Sequence, residues 1–540
     1  MNNPYWNVIK DDFPRLLAQL DTNPMSKTYG SFDRSFWHHR RVDFSSASLQ
    51  QGALVLAQLF CRNFEGTSFY ENSEALRLVS ASLNYTFSIQ HSDGSMDEWY
   101  PQERGWAGPT GYVLYAVIRS LELVGDRLEK SLVEKAKIFS ERAIKHLLFY
   151  EESDVLSNHQ AMALLAIESA AKYFSITVAE KSLQARRSAF YENFSEEGWS
   201  LEYDGCDPGY QSATLSFMSR LHRVAPNSKL EELCARQLNF LTHFIFPDLS
   251  FAGCMGSRGT TNVFHFGFEY WAARGGPAKE LADLTLSGIG AGKILRPSDQ
   301  EDHYLIYRLV EFVECAAVYE PRAIASPWLA RYSSAYFSES GLYVLSSEKY
   351  YGVLNLKKGG AGKIFQLNPV VAVYEDAGYF FEDSSGDLYT SSFVSGDRKI
   401  EALPGNVRVE GNCNFYRRPV FNQTNFLVFR GLLFFIRNSF ASLHLKKWIR
   451  SKIMTGFAQT SKIRISRTFK FSEKLEITDE INTSGISILR AYRSTCFPSR
   501  SVPQSLYTTA SQLGVSTGQF LDEAALQSLN SGSGVTLRVV

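Results

Sequence analysis

Residues 110–124 read TGYVLYAVIRSLELV. Their apolar side chains fall at Val113, Val117, Leu121 and Val124, one face of a helix with a period of about 3.6 residues. Gly125 follows, and its position predicts a C-cap. Residues 74–90 repeat the pattern with Leu76, Val79, Leu83 and Phe87, and residues 130–148 with Leu132, Ala136, Phe139, Ala143 and Leu147. Further apolar helices are expected near 48–60, 160–174, 211–224, 230–246 and 266–286, with another after His303. They come in pairs of roughly fifty residues, joined alternately by short and long connections, as in helical hairpins stacked in a ring or solenoid. No self-similar repeat accompanies the rhythm. The long connections, 90–108 and 196–210, are rich in Gly, Asp and Trp and gather at one end, where functional groups tend to sit.

The texture changes near residues 320–341. Pro321 and Pro327 flank an irregular stretch, and Gly341 opens β-rich runs at 342–345 and 350–356. Residues 462–471 largely alternate, with Ile463, Ile465, Phe469 and Phe471 between Lys, Arg and Thr, and 475–481 alternate too. Residues 426–435 form a near-continuous apolar run and read as a strand buried on both faces. The expectation is an α+β chain of two domains: an (α/α) toroid over 1–325 and an antiparallel β-sandwich over 335–540.

Composition limits the functions. The 540 residues are long for one domain and comfortable for two. Lys+Arg and Asp+Glu both number 56, so nothing in the totals points to nucleic acid or to a basic membrane-seeking face. An acidic polymer would need a local patch. Aromatics are 14% of residues, enough to fill a core and also to line a cleft for sugar rings. The seven cysteines are scattered without a CxxC, which argues against a disulfide framework and a zinc site. No run of about 18 apolar residues predicts a membrane span. The N-terminus lacks a basic start followed by an apolar run, so the expected location is the cytoplasm, or the periplasm if that end is processed. No nucleotide-binding loop is present: Gly359-Gly-Ala-Gly-Lys363 lacks the spacing and the following Ser or Thr. His38 and His39 are adjacent and make a poor chelating pair, so no cofactor and no catalytic metal are expected.

Four segments hold unusual polar density. The first runs from His91 to Arg104 and carries Asp97, Glu98, Trp99, Tyr100 and Glu103, whose carboxylates serve either as acid and base or as caps for the next helix. The second is Ser157-Asn158-His159-Gln160, at a helix start where the backbone dipole favours an anion and where Ser157 or Asn158 also suits an N-cap. The third, 198–211, holds Glu202, Tyr203 and Asp207 and ends in Pro208-Gly209-Tyr210 as a helix begins. The fourth is Gly256-Ser257-Arg258-Gly259-Thr260, followed by His265; an arginine there approaches a carboxylate with its planar fork or makes a structural ion pair.

In this order the pieces resemble the heparinase II/III-like polysaccharide lyases, by architecture over nearly the whole chain and by short motifs: Asn158-His159 opening a helix, Glu202…Pro208-Gly-Tyr210 further on, then a β domain. Asp33-Arg34…Trp37, Asp93-Gly-Ser…Glu98-Trp-Tyr-Pro and Gly256-Ser-Arg258 resemble a branch found in exopolysaccharide gene clusters. The resemblance implies β-elimination on a uronic-acid polysaccharide or oligosaccharide. It implies that Asn158 and His159 neutralise the uronate carboxylate and that Tyr210 serves as acid and as base. A tyrosine with a pKa of about 10 needs a cation beside it for the base role, and His159 or Arg258 is placed to supply one. Glu202, Tyr203, Arg258, Glu98, Trp99, Tyr100 and Arg104 are then expected to bind substrate. Some relatives carry a structural divalent cation in the β domain.

One departure stands out. Family enzymes bring a histidine from an early strand of the β domain, and the matching segment here, 357–365, has lysines and glycines instead. His265 or a lysine is then the replacement, or the protein binds glycan in polysaccharide assembly without cleaving it. A glycoside hydrolase working with two of Asp97, Glu98, Glu202 and Asp207 is the third reading.

Overall fold

The computed structural model of the chain describes residues 3–104, 107–150, 156–324, 328, 333–416, 422–436, 441–442, 444–445, 448, 459–472, 474–495 and 518–540. Helices come first: α1 (Pro4–Ile9), α2 (Phe13–Gln19), α3 (Arg34–Trp37), α4 (Gly52–Cys61), α5 (Ser73–Ser88), α6 (Ala107–Val124) and α7 (Lys130–Phe149). There follow α8 (Ser157–Phe174), α9 (Glu180–Glu192), α10 (Pro208–Val224), α11 (Ser228–Leu241), α12 (Phe266–Ala272), α13 (Gly276–Gly290) and α14 (Asp302–Val318).

Apolar character sorts these helices into layers. In α4, α8 and α10 most side chains are buried all round, as expected of helices with neighbours on every side. In α9 only Leu183 and Phe190 are buried, and α5, α7 and α11 are likewise amphipathic. The inner helices contact one another in sequence, α4 to α6, α8, α10, α12 and α14, and α14 returns to α4, so the chain of contacts closes. The amphipathic helices pack outside it.

Strands follow: β1 (Ala335–Phe337), β2 (Leu342–Ser346), β3 (Tyr350–Asn355), β4 (Ala361–Leu367) and β5 (Val370–Asp376) form a meander in that order. The second sheet contains β6 (Gly378–Asp383), β7 (Leu388–Thr390), β8 (Lys399–Leu403), β9 (Asn406–Phe415), β10 (Thr460–Phe471), β11 (Leu475–Asn482), β12 (Ile488–Ser494), β13 (Gly518–Phe520) and β14 (Val535–Arg538). Its order is β13-β12-β6-β7-β9-β10-β11-β14, with β8 on β9. All the pairings are antiparallel.

The first sheet shares one face with the helices: Val344, Tyr351, Val353 and Phe365 belong to the same buried core as the helical residues. The Tyr351 hydroxyl donates to the His243 carbonyl at 2.7 Å, and the Phe365 and Phe246 rings meet at 5.3 Å. Its other face, through Tyr343, Leu354 and Ile364, packs on Val407, Phe469 and Ile477 of the second sheet. Beyond that contact the second sheet gathers Tyr379, Phe381, Cys413, Ile465 and Ile481 around a core of its own, capped by Leu529 of a late helix, 523–530. Strands well separated in the sheet order share that core, so the sheet curls.

Several expectations are corrected here. Residues 426–435 are not a strand. They lie in a helix, α15 (Gln423–Phe435), between β9 and β10, with Leu433 as its one buried residue. A continuous apolar run carries no period to separate strand from helix, and Asn422 caps this one by accepting from the Asn425 N–H. Gly125 opens a short 3₁₀ turn instead of a left-handed C-cap. The run 266–286 is two helices, α12 and α13, divided at Gly275 and Gly276. The alternating runs at 462–471 and 475–481 are strands β10 and β11. Six cysteines are free thiols, whereas Cys496 and Pro327 lie outside the described residues.

The alternation of β10 turns Arg467 inward, where it is 1% exposed. It pairs with Asp376 at 2.7 Å and Asp479 at 2.6 Å, both fully buried. Asp376 also receives Arg493 at 2.6 Å, and Asp479 the Tyr379 hydroxyl at 2.7 Å. Burial alone would disfavour the Arg467 charge, but the two carboxylates hold it well above the ordinary arginine range. Arg467→Met leaves two buried carboxylates short of a cation and is expected to destabilise the fold by about 3 kcal/mol, read as a lowered urea midpoint.

Candidate active site

The third polar segment, 198–211, lies where α8, α10 and the 252–260 loop meet. Asp207 is the N-cap of α10, and Pro208 takes the first helical position, where its missing N–H costs nothing. The Asp207 Oδ1 accepts the Tyr210 N–H at 3.0 Å, and its Oδ2 accepts the N–H groups of Arg258 at 2.9 Å and Thr260 at 3.3 Å. One buried carboxylate thus fixes the backbone of Tyr210 and of Arg258 together. Gly256 is obligatory beside it: a Cβ there would stand 2.6 Å from the Asp207 Oδ2.

Glu202 ties in the third element. Its Oε1 accepts the Asn158 backbone N–H at 2.9 Å and the Asn158 Nδ2 at 2.6 Å. The sequence predicts that Ser157 or Asn158 caps α8 and that an anion suits this helix end. The N-cap is Leu156 without a side-chain cap, and the anion is the carboxylate of Glu202. Glu202 is fully buried, and burial pushes its carboxyl up to about 7, against the pull of Arg258 and the Asn158 hydrogen bonds. Arg258 Nη1 stands 3.5 Å from Glu202 Oε2.

The Arg258 guanidinium lies between two tyrosines, with its carbon 3.7 Å from the Tyr210 ring centre and 4.6 Å from that of Tyr203. Despite burial, Tyr210, Tyr203 and Glu202 hold its charge above the ordinary arginine range. Tyr203 adopts φ 57°, in the left-handed region that costs a side chain free energy and that recurs at functional sites. His159 packs against α6, where a Cβ on Gly108 would stand 3.2 Å from its ring. From the β part, Asn355 Nδ2 donates to the Met255 carbonyl at 2.7 Å, and buried Lys358 acts electrostatically on Asp207.

A second cluster adjoins the first. Tyr307 on α14 donates its hydroxyl to Glu98 Oε1 at 2.8 Å. The Trp99 and His303 rings meet at a tilt of 38°, centroids 4.7 Å apart. Trp99, Glu98 and His303 line a cavity of about 290 Å³ together with Arg34, Arg41 and Phe44. Tyr112 on α6 joins the clusters: its ring meets Tyr307 at 4.9 Å, and its phenol feels Tyr210, Glu98 and Glu202. Burial first, and then these neighbours, push Tyr112 well above the ordinary tyrosine range, so it stays a phenol.

Of the residues expected from sequence, Asn158, His159, Glu202, Tyr203, Tyr210 and Arg258 come together, and Glu98 and Trp99 lie beside them. Tyr100 packs on Phe429 at 5.5 Å instead. Arg104 is tied within its own loop to Asp93 at 3.2 Å and to Gln102. His265 is fully buried among Tyr5 and Phe312 and contacts Thr285 Oγ1 at 3.2 Å; burial and Arg308 push it well below the ordinary histidine range. Asp97 and Glu103 accept N–H groups within the loop, from Gln102 and Glu103 and from Glu98 and Trp99. Lys363 pairs with Glu375 at 3.3 Å. Tyr112 and Tyr307 carry no signal in the sequence, because they occupy core-like positions of long apolar helices.

No protein-family model and no curated protein matches the chain. Solved structures do. A Paenibacillus xanthan lyase superposes with a TM-score of 0.53 at 9% identity, over 91% of this chain and 46% of that one. The chondroitin AC lyase of Streptomyces coelicolor A3, solved in complex with chondroitin sulphate, gives 0.53 at 12% identity, over 92% of this chain and 68% of that one. The fold is shared with polysaccharide lyases. The chain spans about half the length of the xanthan lyase.

The raised Glu202 predicts a pH dependence. A carboxyl at about 7 in the fold and near 4.5 when unfolded is neutral in the fold where the unfolded chain has already ionised. Stability from this group is therefore fullest below pH 4.5 and falls as pH rises through about 7. The slope is at most about 1.4 kcal/mol per pH unit. Urea midpoints from pH 4.5 to 8 should fall less steeply in Glu202→Gln than in the wild type; parallel curves would show that Glu202 is ionised throughout.

Proposed function

We propose that the protein is a polysaccharide lyase that cleaves a uronate-containing acidic polysaccharide or oligosaccharide by β-elimination. In this reading the closed chain of helix contacts is an (α/α) toroid domain over 1–325, and 335–540 form a β domain of the heparinase II/III-like kind. An exopolysaccharide setting belongs to the same reading. The observation that carries it is Tyr210 in the first turn of α10 with the Arg258 guanidinium over its ring at 3.7 Å.

Tyr210 is the base and the acid. A cation beside a phenolate favours the charged form, which is what a tyrosine needs to remove the C5 proton of a uronate. The C5–H and C4–O bonds break and a C4–C5 double bond forms. The proton taken from C5 returns through Tyr210 to the leaving oxygen. Tyr112 remains a phenol beside it and donates to the reacting sugar. Trp99 and His303 give flat faces for neighbouring rings, and Arg34 and Arg41 give positive charge to an acidic chain. Asp207 and Asp97 are engaged by backbone N–H groups, which weighs against a two-carboxylate hydrolase. A non-catalytic glycan-binding role has one observation behind it: the Asn158 amide is already engaged by Glu202 at 2.6 Å.

Incubation with a panel of uronate polysaccharides, followed by the absorbance of the unsaturated uronate, separates these readings. Tyr210→Phe is expected to lower kcat by about 10²–10⁴ with little change in KM. New reducing ends without absorbance indicate hydrolysis. Saturable glycan binding with neither signal indicates a binding protein.

A further inference from the structure

Residues 33–46, between α2 and α4, are tied into a closed loop. Asp33 is the N-cap of α3. Its Oδ1 accepts the Phe36 N–H at 3.2 Å and its Oδ2 the Ser46 N–H at 2.9 Å, so one buried carboxylate fixes both ends of the segment. Between those ends the chain turns back at Arg40, whose φ of 52° is left-handed, and the Arg41 N–H reaches the Ser35 carbonyl at 2.9 Å. The Ala47 N–H donates to the Asp97 carbonyl at 2.8 Å and sets this loop against the 91–104 loop. The cavity beside Trp99 is lined from these two loops and from the start of α14.

The charges that line this cavity are unequally engaged. Its three carboxylates are occupied by protein donors: Asp33 by the two N–H groups, Glu98 by the Tyr307 hydroxyl at 2.8 Å, and Asp302 by Arg15 at 2.9 Å. Its two guanidiniums are not so matched. Arg34 donates to the Ala18 carbonyl at 2.8 Å, and among the described residues neither Arg34 nor Arg41 forms an ion pair. Asp33 and Glu98 are buried, whereas Arg41 is exposed and Arg34 and Trp99 are partly so. A guanidinium grips a carboxylate through two parallel hydrogen bonds, and an exposed aromatic face suits a sugar ring. Glu98 keeps lone pairs for hydroxyls. At about 290 Å³ the cavity is at the small end of ligand pockets, which start near 300 Å³, so it takes one ring and not a run of them. Tyr307 joins it to the candidate site, with its hydroxyl on Glu98 and its ring 4.9 Å from that of Tyr112.

We propose that the cavity is a subsite for one carboxylate-bearing sugar residue, the neighbour of the residue that is cut, with Arg41 and Arg34 on its carboxylate and Trp99 on its ring face. The protein then selects glycans whose adjacent residues are both acidic over those in which acidic and neutral residues alternate. The place beside the cut rests on the lyase reading; the recognition of a carboxylate does not.

The test is isothermal titration of the full chain, carrying Tyr210→Phe to stop turnover. The probes are trisaccharides of glucuronate, galacturonate or mannuronate, and the same trisaccharides after reduction of their carboxyl groups. At least one native trisaccharide is expected to bind at least about tenfold tighter than its reduced form. Adding Arg41→Gln is expected to weaken that native form about tenfold and to leave the reduced form unchanged, whereas Trp99→Ala weakens both. Arg34→Gln acts in the same direction as Arg41→Gln. Circular dichroism checks that the variants fold, and if Arg34→Gln does not, the exposed Arg41 decides. The proposal is overturned if no native form binds better than its reduced form, or if Arg41→Gln weakens neither form or both alike. Carboxylate-selective binding without any unsaturated uronate from the wild type overturns the lyase reading and keeps the subsite. Cleavage with a KM that Arg41→Gln leaves unchanged keeps the lyase reading and overturns the subsite.

Discussion

The loop from Glu202 to Asp207 is where the molecule's local order is decided, and two buried carboxylates decide it. Asp207 accepts N–H groups from the first turn of α10 and from the 258–260 segment. Glu202 accepts both nitrogens of Asn158 at the start of α8. Three segments far apart in sequence are thereby fixed against one another by hydrogen bonds to two buried carboxyl groups. Arg258 is the counter-charge that makes this arrangement tolerable inside the protein. Its position over Tyr210 is therefore set by the demands of burial before any substrate arrives.

Much of this was legible in the sequence because it rests on local signals. The 3.6-residue period of 110–124 and the alternation of 462–471 reflect one buried face each. Pro208-Gly209-Tyr210 marks a helix start, and Asn158, Glu202 and Arg258 are polar residues beside apolar runs. The partnerships were not legible: Glu202 takes the anion place at α8, which requires knowing that two loops meet. Tyr112 and Tyr307 look like core aromatics because they stand in apolar helices and their rings pack edge to face on each other. His265 misled for the opposite reason, since a histidine followed by Phe-Gly-Phe is a buried ring among rings.

The run 426–435 was misread because an apolar segment without a period fits a buried strand and a helix alike. The totals concealed what surrounds it. A net charge of zero averages an acid-free basic stretch, 411–472, with an acid excess elsewhere, so the totals hide a local segregation of charge.

The same buried carboxylate bears on how an anionic ligand can be received. In the proposed reaction, a uronate that approaches Asn158 and Arg258 meets Glu202, which accepts hydrogen bonds from Asn158 and stands 3.5 Å from Arg258. Two carboxylates sharing one amide and one guanidinium repel, and the usual relief is that one takes up a proton. Glu202, pushed up to about 7 by burial, is the group prepared to do so at little cost near neutrality. Protonated, it still accepts hydrogen bonds from Asn158 but no longer draws on the positive charge of Arg258, which then serves the ligand. Loading of an acidic sugar would thus be linked to proton uptake at Glu202, and affinity would weaken as pH rises above its range.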